Sequence, residues 1–170
     1  MKKLAEHFQI DFEPTAEEES VVNIDNLRFT ILTEGLLRIE YDPAKEFDDR
    51  PTQLVWKRNL KLPEFSLEKN EQQLIIETEK IKLEYLRNGK ELSENNLKIK
   101  VKPNNEQWFY NKVDKNNLKG TYRTLDEADG AVELDQGLLS KSGWTLIDDS
   151  ESLVFNNTGW LEARDKSEGY

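Results

Sequence analysis

From Val21 onward, the apolar residues of the chain fall into short runs separated by turn-forming residues. In the run Ile81–Tyr85 every second side chain is apolar and the others are charged, which is the spacing of a strand with one buried face. The runs Leu27–Thr33 and Leu36–Tyr41 are joined by Glu34-Gly35. This short glycine-containing link predicts a β-hairpin.

The remaining apolar runs are equally short and predict further strands. They are Gln53–Trp56, Glu64–Glu68, Gln73–Glu77, Leu97–Val101, Trp144–Ile147, Ser152–Phe155 and Trp160–Ala163. Roughly ten short strands, with turn signals every eight to twelve residues or so, predict an all-β fold built as an antiparallel β-sandwich. No segment beyond the N-terminus follows the helical period for more than about two turns.

The chain divides into a lead-in and one domain. Residues 1–20 end in an acidic segment that has little to bury, so we expect a loosely ordered lead-in. Residues 21–170 are long enough for a single β-sandwich domain with a sizeable core, whereas two domains would each be small.

Charge and composition narrow the classes of function. The formal net charge is −10 and the Lys and Arg residues form no stripe, which disfavours nucleic acid and anionic membrane surfaces as partners. There is no cysteine, no signal-peptide pattern at the start and no apolar run of about 20 residues, and together these indicate a cytoplasmic protein. The single histidine, His7, stands in a polar terminal segment, and zinc-type ligands are scarce. We therefore expect no metal and no cofactor.

Two polar, glycine-containing stretches interrupt the strand pattern, Arg123–Gly130 and Gly137–Trp144. Loops of this kind between strands are where β-proteins commonly place binding residues. Asp126 and Asp129 could form an acid/base pair of the glycosidase type, or could serve as turn residues that accept hydrogen bonds from sugar hydroxyls. The second interpretation is favoured because short carboxylate clusters are common in so acidic a chain. Asp148-Asp149 is interpreted as part of a turn.

The tryptophans offer a second kind of candidate. Tryptophan in a sandwich mostly packs in the core, and this is the favoured interpretation for Trp108. Trp144 follows Ser142-Gly143 at a junction of loop and strand, so its ring could face the core or a ligand. The glycines between 120 and 143 follow no phosphate-binding pattern.

Four motifs in one order resemble the N-terminal domain of glycoside hydrolase family 31, the α-glucosidase and α-xylosidase family. They are Asp48-Asp-Arg-Pro-Thr-Gln-Leu-Val55, Asn117-Leu-Lys-Gly-Thr-Tyr-Arg-Thr-Leu-Asp-Glu-Ala-Asp-Gly130, Gly137-Leu-Leu-Ser-Lys-Ser-Gly-Trp-Thr-Leu-Ile-Asp-Asp149 and Gly159-Trp160. The resemblance covers about residues 21–170. It implies a galactose-mutarotase-like β-sandwich that precedes a catalytic (β/α)8 barrel in the same parent protein.

The resemblance also implies separate roles for the barrel and the N-terminal domain. Both catalytic aspartates of the retaining mechanism lie in the family's barrel, so this chain alone is expected to be inactive. A loop of the N-terminal domain reaches the mouth of the barrel, where an aspartate binds sugar hydroxyls. Asp129 is the matching position in a Trp-Asn-x-Asp-like motif, and Asp126 is the alternative because this sequence has Glu127-Ala128-Asp129 with no Trp-Asn before it. The expected substrate-binding residues are therefore Asp129, Asp126 and Trp144.

Three hypotheses about function follow. The first is a non-catalytic N-terminal domain of a retaining α-glycosidase, whose partners are the barrel and an α-linked oligosaccharide or glycoside. The second is a stand-alone carbohydrate-binding module that uses Trp144 or Trp108 as a platform. The third is a structural or oligomerisation domain, which a large exposed apolar patch would favour.

Overall fold

A computed structural model describes residues 5–88, 91–120 and 129–164 of the chain. The prediction of an all-β fold with antiparallel sheets is confirmed: apart from two short 3-10 helices, the regular elements of the described residues are strands. The strands are β1 Val21–Ile24, β2 Leu27–Thr33, β3 Leu36–Tyr41, β4 Phe65–Lys69, β5 Gln73–Thr78, β6 Ile81–Leu86, β7 Leu97–Val101, β8 Glu106–Phe109, β9 Val154–Phe155 and β10 Leu161–Glu162. The 3-10 helices are Glu6–Phe8 and Glu18–Ser20.

The chain forms two compact units. Unit 1 consists of residues 1–64 and 148–170, and unit 2 is the continuous segment 65–147. The single galactose-mutarotase-like domain expected over residues 21–170 stays a prediction.

Unit 1 contains the sheet β1-β2-β3 and the pair β9-β10. The predicted hairpin is confirmed, because β2 and β3 pair in antiparallel fashion on either side of Glu34-Gly35. Phe29 and Ile31 of β2 are almost completely buried. The expected lead-in takes part in packing, since the ring of Phe12 lies 4.7 Å from the ring of Phe155.

Unit 2 is built on the five-stranded sheet β4-β5-β6-β7-β8. Its central strands follow the predicted alternation, with Ile81, Leu83 and Tyr85 of β6 buried and the residues between them partly exposed. Leu74 and Ile76 of β5 are fully buried in the same way. The edge strand β4 is mostly exposed and carries charged residues, which protects a free edge from pairing with other chains.

Several strand predictions were wrong in detail. Residues 53–56 and 144–147 form no strand, although each run contains apolar side chains. Trp144–Ile147 instead runs through an irregular part of unit 2 in which Leu146 and Ile147 are exposed. The structure also adds β8, which falls in a polar segment where we predicted no strand. Its buried residue is Trp108, so the packing interpretation of that tryptophan is confirmed.

Candidate functional site

The motif residues of unit 2 meet in an irregular ribbon, called here the loop ribbon and defined as residues 116–120 and 135–141. Asn117 and Ser140 form an isolated antiparallel bridge. The backbone N–H of Leu118 donates to the carbonyl of Leu139 at 2.9 Å, and that of Gly120 donates to the carbonyl of Asp135 at 2.7 Å. These hydrogen bonds therefore hold together the two arms of the ribbon, one of which precedes Asp129 in the sequence and the other follows it.

The side chain of Asn117 clamps the two arms. Its Nδ2 donates to the carbonyl of Gly137 at 2.9 Å, and its Oδ1 accepts the Gly137 N–H at 2.8 Å. The same Oδ1 accepts the N–H of Lys119 at 2.8 Å. One neutral amide thus satisfies three backbone groups that no regular sheet would satisfy here.

Glycine is required at position 137 by close approach of the two arms. A Cβ atom built there would lie 2.4 Å from the carbonyl oxygen of Lys119, which is backbone and cannot swing away. At Gly120 a Cβ would meet nothing closer than the carbonyl oxygen of Asp135 at 3.5 Å, an ordinary contact. The two glycines of the ribbon therefore differ sharply in what they tolerate.

A second set of polar side chains forms hydrogen bonds next to the ribbon. Ser142 is buried and donates from Oγ to Oδ1 of Asp114 at 3.0 Å, while Asn116 Nδ2 donates to Ser142 Oγ at 3.2 Å. Asn104, in the turn between β7 and β8, donates from Nδ2 to the Ser142 carbonyl at 2.9 Å. Together with Asn117 these residues form what we call the amide network. It ties the ribbon to the five-stranded sheet of the same unit.

Asp114 is the one charged member of the amide network. Burial acts to raise the pKa of Asp114, but hydrogen bonds from Ser140, from the backbone N–H of Asn116 and from Ser142 outweigh it, and the pKa lies below its ordinary value. The stabilising partners are neutral donors rather than opposite charges. Asp114 therefore acts as an ionised acceptor that organises the segment around it.

Trp144 lies half-buried beside this network. The Lys112 ammonium stands 5.4 Å from the centre of its ring, within the range of a cation–π contact. Lys112 also lies 5.7 Å from the ring of Phe109 and donates to the carbonyl of Gln107. The indole N–H of Trp144 is buried and meets no acceptor within the described ranges. The ring thus has protein contacts of its own, which reduce the area it can offer to a sugar.

Asp129 is exposed and is followed by Gly130, whose φ of +97° lies in the left-handed region that favours glycine. No hydrogen bond or ring contact joins Asp129 to Trp144 in the part of the chain that the structure describes. Asp126, the alternative candidate, lies outside the described residues. The pocket rim expected from Asp129, Asp126 and Trp144 stays a prediction.

The loop ribbon presents apolar side chains to solvent. Leu138 and Leu139 are each 70 % exposed and Leu118 is 54 % exposed. Leu118 and Leu139 lie opposite each other because their backbones are paired. Leu146, Ile147 and Val113, from neighbouring parts of the sequence, are also at least half exposed. These exposed leucines make the loop ribbon a candidate contact surface.

Unit 1 contains a different kind of polar cluster, which we call the charged cluster: Arg28, Arg38, Glu40 and Asp49. Arg28 donates from Nε to Glu40 at 2.7 Å and from Nη2 to Asp49 at 2.7 Å, and Arg38 lies 2.7 Å from Glu40. Burial lowers the pKa of Arg38 to about 10 although Glu40 lies beside it. The pKa of Arg28 is raised, because hydrogen bonds from Arg28 to Glu40 and Asp49 outweigh its burial.

The motif Asp48–Val55 has a structural role in unit 1. Asp48 and Arg50 form a salt bridge at 2.9 Å, and Arg50 reaches Glu162 of β10 at 2.9 Å. The backbone of Gln53 donates to Leu153 at 2.7 Å. Burial acts to raise the pKa of Asp48, but the hydrogen bonds and charge of Arg50 lower it below its ordinary value. This motif fastens the later segment of unit 1 to the earlier one.

Two features are absent from the described parts of the chain, a cluster of metal ligands and a membrane-spanning helix. No group of three or more His, Cys, Asp or Glu residues there could hold a metal ion. Nor does any helix in those ranges have the length and apolar character needed to cross a membrane. His7 is exposed, and the centre of its ring lies 4.1 Å from that of Phe8 with the two rings tilted by 46°.

Sequence reasoning missed the residues that hold this region together, namely Asn104, Asn116, Asn117, Asp114 and Ser142. The only available signal was the clustering of asparagine and glycine around the motifs.

No protein-family model matches the chain, and no curated protein matches it significantly.

Proposed function

We propose that the chain is a non-catalytic β-domain of a retaining α-glycosidase similar to glycoside hydrolase family 31. In this proposal it has the galactose-mutarotase-like sandwich of that family, packs on a catalytic (β/α)8 barrel of the same parent protein, and contributes a loop to the pocket for an α-linked sugar. The proposal includes a cytoplasmic location, which the absence of cysteine from the sequence supports.

The exposed leucines of the loop ribbon carry this proposal. Leu118, Leu138 and Leu139 stand on arms that are fixed by the Asn117 amide, so little conformational freedom would be lost on docking. Burial of such a side chain contributes roughly 1.5–3 kcal/mol when it is complete. Three of them on one ribbon would contribute to attachment of the ribbon to an apolar partner surface.

The carboxylate of Asp129 supports the pocket role. It is exposed, and it lies on the chain between the two arms of the ribbon. An ionised carboxylate that accepts sugar hydroxyls makes hydrogen bonds worth about 1.5–3 kcal/mol each. A sugar held by one open loop stays largely hydrated, so such bonds need a second wall to close the pocket, and the proposal assigns this wall to the barrel.

The test compares the chain alone with its parent protein on an aryl α-glucoside. We expect no hydrolysis by the chain alone, because the proposal places both catalytic carboxylates in the barrel. In the parent protein, Asp129→Ala should lower kcat/KM by about 10- to 100-fold, the equivalent of one lost charged hydrogen bond. Asp135→Ala removes another exposed carboxylate, at the start of the second arm of the ribbon, and serves as the matched control.

Each arm of this test can reject a different part of the proposal. A parent protein without activity on α-glycosides would reject the enzyme class. An active parent whose Asp129→Ala variant has unchanged kinetics would reject the role of Asp129 alone.

An interaction domain is the second candidate, and the same exposed leucines favour it. If the ribbon pairs with a second copy of the chain, light scattering should show a dimer that Leu138→Ser with Leu139→Ser abolishes. A monomer at all concentrations would count against this candidate. Calorimetric binding of malto- or isomalto-oligosaccharides by the chain alone, at millimolar affinity or tighter, would instead favour a carbohydrate-binding module.

A further inference from the structure

Asp129 and Gly130 form the only Asp-Gly pair of the sequence, and the backbone around them is open. Both residues are exposed, and a Cβ atom built on Gly130 would meet nothing within 4 Å. Neither the Asp129 carboxylate nor the Gly130 N–H forms a hydrogen bond in the part of the chain that the structure describes. No partner in that part of the chain therefore holds either group away from the other.

An aspartate followed by glycine can close a five-membered ring on its own backbone. The nitrogen of Gly130 bonds to Cγ of Asp129, the Cγ–OH bond breaks, and the N–H proton leaves with that hydroxyl as water. Glycine hinders this step least, because it has no Cβ beside the attacking nitrogen. Gly130 also has a φ of +97°, a conformation that a residue with a Cβ rarely adopts. The position thus combines an exposed carboxylate with an unhindered nucleophile.

We propose that Asp129 is a site of spontaneous isomerisation, at which a succinimide ring forms with Gly130 and water reopens it. Water that adds to the ring carbonyl derived from Cγ restores aspartate, whereas water that adds to the main-chain carbonyl gives isoaspartate. In isoaspartate the main chain runs through Cβ and Cγ, and the carboxylate is attached directly to Cα. The water lost on closure is regained on opening, so the mass is unchanged and neither oxidant nor reductant is needed.

The isomer would alter the stretch of chain that joins the two arms of the loop ribbon. The arms are paired through Leu118 with Leu139 and through Gly120 with Asp135, so both ends of this stretch are fixed. The isomer adds one carbon to the main chain between those ends and draws the carboxylate at position 129 towards the backbone.

A consequence for activity rests on the proposed function. If Asp129 binds sugar hydroxyls in the parent protein, isomerisation removes that acceptor. The affected molecules should then lose about 10- to 100-fold in kcat/KM, the equivalent of one charged hydrogen bond. The site would in this way limit the active lifetime of the enzyme. The isomerisation itself does not depend on the proposed function.

A peptide map of the warmed chain tests the isomerisation directly. Trypsin releases residues 124–141 as one peptide, which contains Asp129 together with Asp126 and Asp135 as internal controls. Mass spectrometry with electron-transfer fragmentation distinguishes isoaspartate from aspartate, and an unwarmed sample corrects for isomer formed during digestion. We expect isoaspartate to form at least about tenfold faster at Asp129 than at Asp135, which glutamine follows. Equal rates at these two residues, or no isoaspartate at position 129, would overturn the proposal.

Two variants of the exposed residue 129 provide matched controls. Asp129→Glu keeps the charge but would have to close a six-membered ring, so the isomer should not accumulate. Asp129→Asn forms the same succinimide with loss of ammonia, which leaves more readily than water, so isoaspartate should appear faster than in the unmodified chain. Isomer formation in Asp129→Glu at the rate of the unmodified chain would contradict the mechanism.

The parent protein separates this inference from the proposed function. Activity on an aryl α-glucoside should fall on ageing in step with the isoaspartate content, while Asp129→Glu should keep its own starting activity. Isoaspartate at position 129 without any loss of activity would support the isomerisation and reject the sugar-binding role of Asp129.

Discussion

The charged cluster of unit 1 joins its side chains through ion pairs, whereas the amide network of unit 2 relies on hydrogen bonds from neutral groups. Arg28, Arg38, Glu40 and Asp49 stand on or beside regular strands, and full charges meet at 2.7 Å. In the amide network, neutral donors bind backbone carbonyls and one carboxylate, and the described residues between β8 and β9 form no regular strand.

The difference follows from what each cluster must hold in place. Neighbouring strands of a sheet satisfy each other's backbone groups, so side chains on them are free to pair with one another. An irregular ribbon leaves backbone groups unsatisfied, and the short amide of asparagine, with one acceptor and two donors, can bind both kinds. The charged cluster thus reinforces a fold, whereas the amide network creates the shape of a surface.

The largest effect is expected in the charged cluster. Glu40→Gln removes the carboxylate that both Arg28 and Arg38 contact and leaves these partly buried cations with less compensation. We expect a loss of about 3 kcal/mol in the free energy of unfolding, measured with urea. Glu46→Gln makes the same chemical change at an exposed position and should change stability by less than about 0.5 kcal/mol. Similar losses in both variants would show that the cluster contributes little.

The next largest loss of stability is expected from a substitution in the loop ribbon. Gly137→Ala forces a Cβ against the backbone oxygen of Lys119, so the two arms must separate at a cost of roughly 1–3 kcal/mol. Gly120→Ala, on the opposite arm, meets only an ordinary contact and is the matched control. Hydrogen exchange at the Leu118 and Gly120 amides should quicken in the first variant only. Equal exchange in both would contradict the close approach.

Asp114 of the amide network and Asp48, which pairs with Arg50 in unit 1, allow a carboxylate held by neutral donors to be compared with one held by an ion pair, through pH and salt. Because both pKa values are lowered on folding, each carboxylate contributes stability above its unfolded pKa, and this contribution is lost as pH falls through the lower folded pKa. Asp114→Asn and Asp48→Asn should each flatten the fall of stability below about pH 4.

Salt should distinguish these two carboxylates. The pKa of Asp48 is lowered by the charge of Arg50 as well as by its hydrogen bonds, so 1 M salt should weaken the contribution of Asp48, whereas Asp114 is held by neutral donors and should respond less. Urea unfolding at low and high salt for each variant measures this difference. An equal salt response would mean that charges also govern the ribbon.

The smallest effect concerns the exposed leucines. Leu138→Ser with Leu139→Ser should leave the stability of the chain alone within about 0.5 kcal/mol, because both side chains are already in water. A large loss of stability would show that these leucines pack within the domain, and the proposed contact surface would then have to be abandoned.

The sequence predicted the regular parts of the molecule well, for a physical reason. In β5 and β6 each buried residue is separated from the next by one partly exposed residue, so the period of the strand is visible in a short window. The hairpin of β2 and β3 was predictable because Glu34-Gly35 is a local turn signal.

The candidate site was less predictable because its contacts carry no period. Asn117 binds Gly137 across 20 positions, and nothing in the neighbouring residues of either marks the pair. Trp144–Ile147 contains apolar residues at strand-like spacing, yet the structure leaves it irregular, with Leu146 and Ile147 in solvent. Apolar character alone does not tell a core strand from a contact surface.

In the sequence, unit 2 lies between the two segments of unit 1, and this order has a consequence for how the chain folds during its synthesis. All strands of the five-stranded sheet lie within residues 65–109, whereas β9, which carries the bridge from Val154 to Thr52, follows much later. Domains generally fold as units while the chain is made from its N-terminus. A ribosome-bound chain that ends shortly after unit 2 would therefore hold a finished sheet, while the first 64 residues would still await their second segment.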